Sequence, residues 1–214
     1  MEDLFLKKLT CLVCGTGFQS SKVRRSKYYV SKVDTDFCTY YKGENPIFYN
    51  VNICPACGYG FTENFPSISS DMKEEISNSI SKFNMDFSGK RSVNLALLAY
   101  WRAFECASKQ NAKKILLAGL MLHTAWLYRF QNDEENERKC LEESLGYYNY
   151  AFEYDPDSGS PATTLYLMGD LNRRLGNDRE AIFCFTSIIN DKKIKEAAII
   201  RMARERWQDM RGTR

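Results

Sequence analysis

The sequence predicts an α+β protein in two unequal parts: a small strand-containing module over residues 1–66, then an all-helical array over residues 67–214. Three observations predict it. Two Cys-x-x-Cys-Gly strings, Cys11–Gly15 and Cys54–Gly58, bracket most of the first part. Between them, Tyr28–Val33 and Ile47–Ile53 are short runs rich in β-branched and aromatic residues, bounded by polar or turn-forming segments. Beyond Phe65–Ser70 the apolar residues take up a helical period almost throughout.

Size and composition bound the answer. A chain of 214 residues suits two unequal domains, and 44% hydrophobic with 14% aromatic content supplies a real core rather than a disordered chain. The 30 basic and 27 acidic side chains nearly balance, whereas a dedicated nucleic-acid binder usually shows a larger basic excess or a basic stripe. Met1–Lys8 lacks the long apolar region of a secretion signal, and the longest apolar run, Ile115–Leu122, falls far short of the roughly 20 residues that span a bilayer. The expectation is a cytoplasmic protein without a membrane partner. In a reducing compartment, paired cysteines hold metal more often than they form disulfides.

The two cysteine strings are knuckles of one design. Two intervening residues let both thiolates point at one ion, and the glycine that follows permits the tight turn that aims backbone N–H groups at sulfur. Cys11, Cys14, Cys54 and Cys57 together would make a closed tetrahedral site with Zn–S of about 2.3 Å. The 39 residues from 15 to 53 exceed the usual spacing but can hold two strands and a loop, as in a zinc ribbon. A thioredoxin-like dithiol needs only one such string, opening a helix, and a disulfide pair needs oxidising surroundings. Iron on the same four sulfurs stays open. A closed four-cysteine site offers no position to substrate or water, so the ion is structural, and it helps fold a module too small for much core.

Seven helical segments follow. The first begins at Asp71, with Glu74 three residues on, and aligns Met72, Ile76, Ile80 and Phe83 on one face. Ser92–Ser108 is the second. Lys113–Phe130, apolar nearly all round, is the most buried. Glu134–Tyr154 stops at Asp155–Pro156, because proline disfavours helix in the residue before it. Ser160–Pro161 supplies an N-cap and a first-turn proline to the fifth segment, which ends at Gly176–Asn177. Arg179–Asn190 and Lys195–Met210 complete the set. Leu165, Gly169, Ala181 and Phe185 fall at tetratricopeptide-repeat spacings, where small residues let two helices approach and Phe185 fills the gap. A second repeat is degenerate, with Trp126 at a small-residue position and an over-long linker at Gln131–Asn136. The array is therefore expected to be tetratricopeptide-like helical hairpins without a regular superhelix.

Other candidates stand beside bland readings. Asp34, Asp36 and Cys38 sit in one turn-rich stretch and could hold a divalent cation or supply a reactive thiol. The plainer reading, which the frequency of Asp and Asn in turns favours, is a polar loop with capping aspartates and a buried thiol. Lys22, Arg24, Arg25 and Lys27 lead into Tyr28 and Tyr29, a mixture that suits single-stranded nucleic acid but also an ordinary hairpin tip. Cys106, Cys140 and Cys184 read as small helical residues. His123, the only histidine, would face an inner groove together with Tyr166, Asp170, Arg173 and Arg174, and these five could contact a peptide. Enzyme signatures such as a phosphate-binding loop, a dinucleotide glycine pattern or HExxH are absent from the sequence.

With these residues in view, the chain resembles the uncharacterised bacterial domain-of-unknown-function family 2225, which joins an N-terminal ribbon to repeat-like helices. The resemblance covers nearly the whole chain. It rests on the two knuckles, on Asp34–Cys38 (DTDFC), Lys42–Pro46 (KGENP), Ala125–Arg129 (AWLYR), Gly169–Gly176 (GDLNRRLG) and Ala203–Gln208 (ARERWQ). It implies a bacterial cytoplasmic protein and no particular activity. The functional expectation is a non-enzymatic adaptor that binds a protein segment. The alternatives are a nucleic-acid-associated factor working through the basic ribbon, and an enzyme or thiol sensor centred on Asp34, Asp36 and Cys38.

Overall fold

The computed structural model describes residues 3–83, 85–155 and 159–212. Small antiparallel strands come first and helices follow, an α+β arrangement as expected. β1 (Leu4–Thr10) pairs with β2 (Gly17–Val23), from Leu4 opposite Val23 to Thr10 opposite Gly17. β3 (Val30–Val33) pairs with β4 (Thr39–Tyr41), and β5 (Asn52–Ile53) with β6 (Gly60–Phe61). Each cysteine knuckle is the turn of a hairpin, β1–β2 for the first and β5–β6 for the second. Sequence patterning missed both hairpins, because the outward-facing β1 is short of apolar alternation and β5–β6 is only two residues deep.

The run Ile47–Ile53 is not the strand its composition predicts. Pro46 presets a helical φ, and the Asn45 side chain accepts a hydrogen bond from the Ile47 N–H at 3.1 Å. The result is a 3-10 turn over Pro46–Tyr49, with strand only at Asn52–Ile53. In the other predicted strand, Tyr28 and Tyr29 precede the pairing, which begins at Val30.

The helices are α1 (Ser70–Ser79), α2 (Val93–Lys109), α3 (Lys114–Phe130), α4 (Glu134–Tyr154), α5 (Pro161–Leu175), α6 (Asp178–Asn190) and α7 (Ala197–Gly212). Caps set the boundaries. Ser92 accepts from the Leu95 N–H at 3.2 Å and Ser160 from the Thr163 N–H at 3.2 Å, while Gly176 ends α5 at φ +85°. α1 is shorter than predicted: Ile80 is extended and Phe83 lies beyond the helix, so only Ile76 of that face is buried. The linker between α3 and α4 is Gln131–Asp133, tighter than expected, because Asn132 adopts φ +57° and Asp133 caps α4. Pro156, expected to stop α4, lies outside the described residues.

From α2 to α7 each helix packs on the next, and α5 also touches α7. One close approach is at Gly169, where an added Cβ would stand 2.7 Å from the fully buried Phe185 ring. Ala181 is buried beside it. This is the small-residue and aromatic combination that the repeat spacing predicts. The apolar core runs on from the helices to Tyr59, Phe61, Val51 and Cys38 of the strand region.

Candidate metal centre and the docked turn

The two knuckles share one backbone plan. The Cys11 N–H donates to the Thr16 carbonyl at 3.0 Å and the Gly15 N–H to the Cys11 carbonyl at 3.1 Å. In the second knuckle, Cys54 donates to Tyr59 at 2.9 Å and Gly58 to Cys54 at 2.9 Å. Both glycines have positive φ, +72° at Gly15 and +80° at Gly58. This turn aims the N–H groups of Val13 and Cys14 at the Cys11 sulfur, and those of Ala56 and Cys57 at the Cys54 sulfur.

The four sulfurs lie within 4.8 Å of one another, with Cys11 to Cys57 and Cys14 to Cys54 each 3.6 Å apart. A tetrahedron with Zn–S of about 2.3 Å has edges of ~3.8 Å, so the cluster could hold a metal ion with little rearrangement. The proton balance agrees. The hydrogen bond with Cys57 pulls the Cys11 thiol down to about 5, and the same bond together with burial pushes Cys57 up. Burial pushes Cys54 up to about 11. A divalent cation bound here would displace the remaining thiol protons, since only thiolates ligate.

The glycines give a prediction. An L-residue at positive φ costs roughly 1–2 kcal/mol. At Gly15 nothing else opposes a side chain, whereas a Cβ at Gly58 would press on the Ser81 carbonyl oxygen and sit 3.1 Å from Lys82 Cα. Gly58→Ala is therefore expected to lower the melting temperature well beyond Gly15→Ala, measured by differential scanning calorimetry on metal-loaded protein.

The remaining sequence candidates fall in unexpected company. Residues 34–38 form the turn of the β3–β4 hairpin, closed by Asp34 N–H to Cys38 carbonyl at 2.8 Å, with Phe37 at φ +70°. This turn is seated on α3 and α5. Asp36, fully buried, accepts from Arg129 Nη2 at 2.7 Å, Trp126 Nε1 at 3.0 Å and Arg174 Nη2 at 3.2 Å. Asp34 accepts from Arg129 Nη1 at 3.0 Å and Tyr40 Oη at 3.1 Å, and pairs with Lys32 at 2.7 Å. The Thr35 hydroxyl donates to Asp170 at 2.8 Å and accepts from Arg173 and Arg174 at 2.9 and 3.1 Å. Tyr166 donates to the Thr35 carbonyl at 3.0 Å, and its ring meets Phe37 at 5.5 Å.

Two separate sequence candidates, the acidic loop and the peptide groove, are thus each other's partners. Asp34 and Asp36 are engaged by cationic side chains, which already occupy the positions a divalent cation would take. Cys38 is fully buried, and burial pushes its thiol up to about 12, the opposite of the lowering that activates a thiol. Arg129 and Trp126 complete the network, although sequence reasoning assigned them no role. One signal pointed to Arg129: it is the only charge between Ile115 and Phe130, and a charge in an apolar helix needs a partner.

His123 makes no hydrogen bond within this network among the described residues and meets it only through the Trp126 ring. It packs on Tyr100 and Trp126, and burial pushes its pKa down to about 4. Lys22 is withdrawn from the basic surface, donating to the Tyr49 carbonyl at 2.6 Å, whereas Arg24 and Arg25 are exposed and Lys27 pairs with Asp3 at 3.4 Å.

A family model described as "Uncharacterized protein conserved in bacteria (DUF2225)" matches residues 4–210. The chain belongs to this family. The match takes in both knuckles, the docked turn and the helices of this DUF2225 protein. No curated protein and no solved structure matches it. No described helix is long and apolar enough to cross a membrane.

Proposed function

We propose that this DUF2225 protein is a non-enzymatic protein–protein adaptor, built from a zinc-fixed ribbon clamped to a helical-hairpin array. Four thiolates with knuckle geometry suit zinc, and a closed four-sulfur shell leaves no coordination position for chemistry. The groove of α3 and α5 holds the chain's own Asp34–Phe37 turn, so docking moves to the outer face of that hairpin.

The observation that carries this reading is the exposure of β3. All four of its residues are exposed, and Tyr29, Val30 and Val33 are each more than half accessible. Its outer edge has no strand partner among the described residues. An apolar strand edge beside Arg24 and Arg25 suits an extended acidic protein segment added as a further strand. Affinity capture with the wild-type chain is expected to recover a protein that a Tyr29→Ser/Val33→Ser variant loses by tenfold or more. Metal content and melting temperature should be unchanged, since neither side chain is buried.

A second reading rests on the same exposure. Arg24, Arg25, Tyr28 and Tyr29 supply phosphate contacts and stacking faces for single-stranded nucleic acid. Fluorescence anisotropy with a labelled oligonucleotide separates the two. Salt-sensitive binding lost in Arg24→Gln/Arg25→Gln would replace the adaptor reading with this one.

A further inference from the structure

A further cleft is lined by none of residues 34–38 and by no residue of β3. It opens between α3 and residues 62–66, with a volume of about 610 Å³, within the roughly 300–1,000 Å³ typical of small-molecule sites. We propose that this cleft binds a small amphipathic organic anion, with its apolar body along α3 and its acidic group at Lys22. The proposal does not rest on the adaptor reading.

The apolar wall comes from Ile115, Leu116 and Leu120, faced by Pro66. Ile115, Gly119 and His123 follow at intervals of four along α3, so they stack on one helix face. Gly119 is informative by contrast with Gly169. Within a helix, glycine costs about 0.5–1 kcal/mol relative to alanine. Gly169 offsets that cost by admitting Phe185, but a Cβ on Gly119 would meet nothing within 4 Å. No packing neighbour requires glycine there. What its missing side chain does is deepen the cleft.

His123 closes the floor. Kept neutral by burial, it offers one donor and one acceptor nitrogen at physiological pH, and neither has a hydrogen-bond partner among the described residues. Lys22 supplies the charge. Its side chain is only 14% exposed and its ammonium rests on two neutral carbonyls, Tyr49 at 2.6 Å and Asn50 at 3.4 Å. The nearest carboxylate, Glu63, is 3.8 Å away and is itself taken by Lys7 at 2.7 Å. A largely buried ammonium whose one carboxylate neighbour, Glu63, stands 3.8 Å away and is shared with Lys7 is only partly neutralised. At the edge of an apolar cleft it is a position for an incoming carboxylate or sulfonate.

The test uses the full metal-loaded chain and 8-anilinonaphthalene-1-sulfonate as probe. Its fluorescence should rise saturably with one site per chain, and decanoate should displace it while decylamine does not. Lys22→Met should weaken decanoate by about tenfold, the loss of one charge-assisted contact. Gly119→Leu fills the floor and should abolish binding at an unchanged melting temperature. Should that variant misfold, an amide-resolved titration of the wild-type chain with decanoate decides the matter: shifts are expected at Gly119 and His123. Equal displacement by decylamine, binding that survives in a folded Gly119→Leu variant, or shifts that avoid α3 would each overturn the proposal.

Discussion

In protein loaded with one equivalent of zinc, Cys54→Ser is expected to take bound metal to near zero by elemental analysis. Cys54 is 1% exposed and opens the second knuckle, so a serine hydroxyl would replace a buried thiolate with a group that does not ionise. Structural zinc contributes on the order of 10–16 kcal/mol in isolated finger peptides. The loss here falls short of that, because the ribbon is also held by the helices. β6 packs on α2 so closely that a Cβ on Gly60 would stand 2.9 Å from the Ala103 nitrogen. Hydrogen exchange should therefore show β1–β2 and β5–β6 losing protection while α3 to α6 keep theirs. Cys38→Ser is the control: equally buried but not a ligand, it should retain the full equivalent. Elemental analysis names the ion, and a red colour would mark iron on the four sulfurs.

Asp36→Asn carries the second large effect. The carboxylate is fully buried between Arg129, Arg174 and Trp126. Removing one member of a buried ion pair costs about 3–5 kcal/mol when the other charge is left uncompensated. The loss here lies at the lower end of that range, because Asp34 and Glu137 still pair with Arg129 and Asp170 with Arg174. For a chain of this size, that corresponds to a fall in melting temperature on the order of 10 °C. The double variant Asp36→Asn/Arg129→Met should lose less than the sum of its single variants, since it removes both charges together.

Acid should loosen the same interface. Burial acts to raise the Asp34 carboxyl, but hydrogen bonds from Lys32 and Tyr40 and the charges of Lys32 and Arg129 outweigh it and hold the group below its usual value. A lowered folded pKa means stability that is fully present above the unfolded value near 4 and is lost as pH falls through the folded one. Denaturant midpoints should therefore hold above pH 5 and fall below about pH 4. In Asp34→Asn the Asp34 share of that fall should vanish.

Local chemistry was legible in the residues alone. Two knuckles announce their own turns, because the glycine after each second cysteine sits where only positive φ closes the loop. Ser92, Ser160 with Pro161, and Gly176 announce helix ends, because a cap satisfies backbone groups within three or four residues. Gly169 and Phe185 announce a close helix crossing, because volume must be conserved between facing positions. The run Ile47–Ile53 misled because its composition is strand-like while Asn45 and Pro46 set a turn.

Tertiary structure alone decided which distant groups meet. An aspartate in a turn suits a cap, a cation site or an arginine, and nothing within five residues of Asp36 chooses among them. The choice is made 93 residues away by Arg129. It follows from docking the β3–β4 turn on α3 and α5, where desolvated charges must find partners. By the same logic, the four sulfurs were assigned to one another by local spacing, whereas the arginine groove was assigned to the chain's own acidic turn only by the packed fold. Short-range backbone geometry is encoded residue by residue; the pairing of buried charges depends on which surfaces the whole chain brings together.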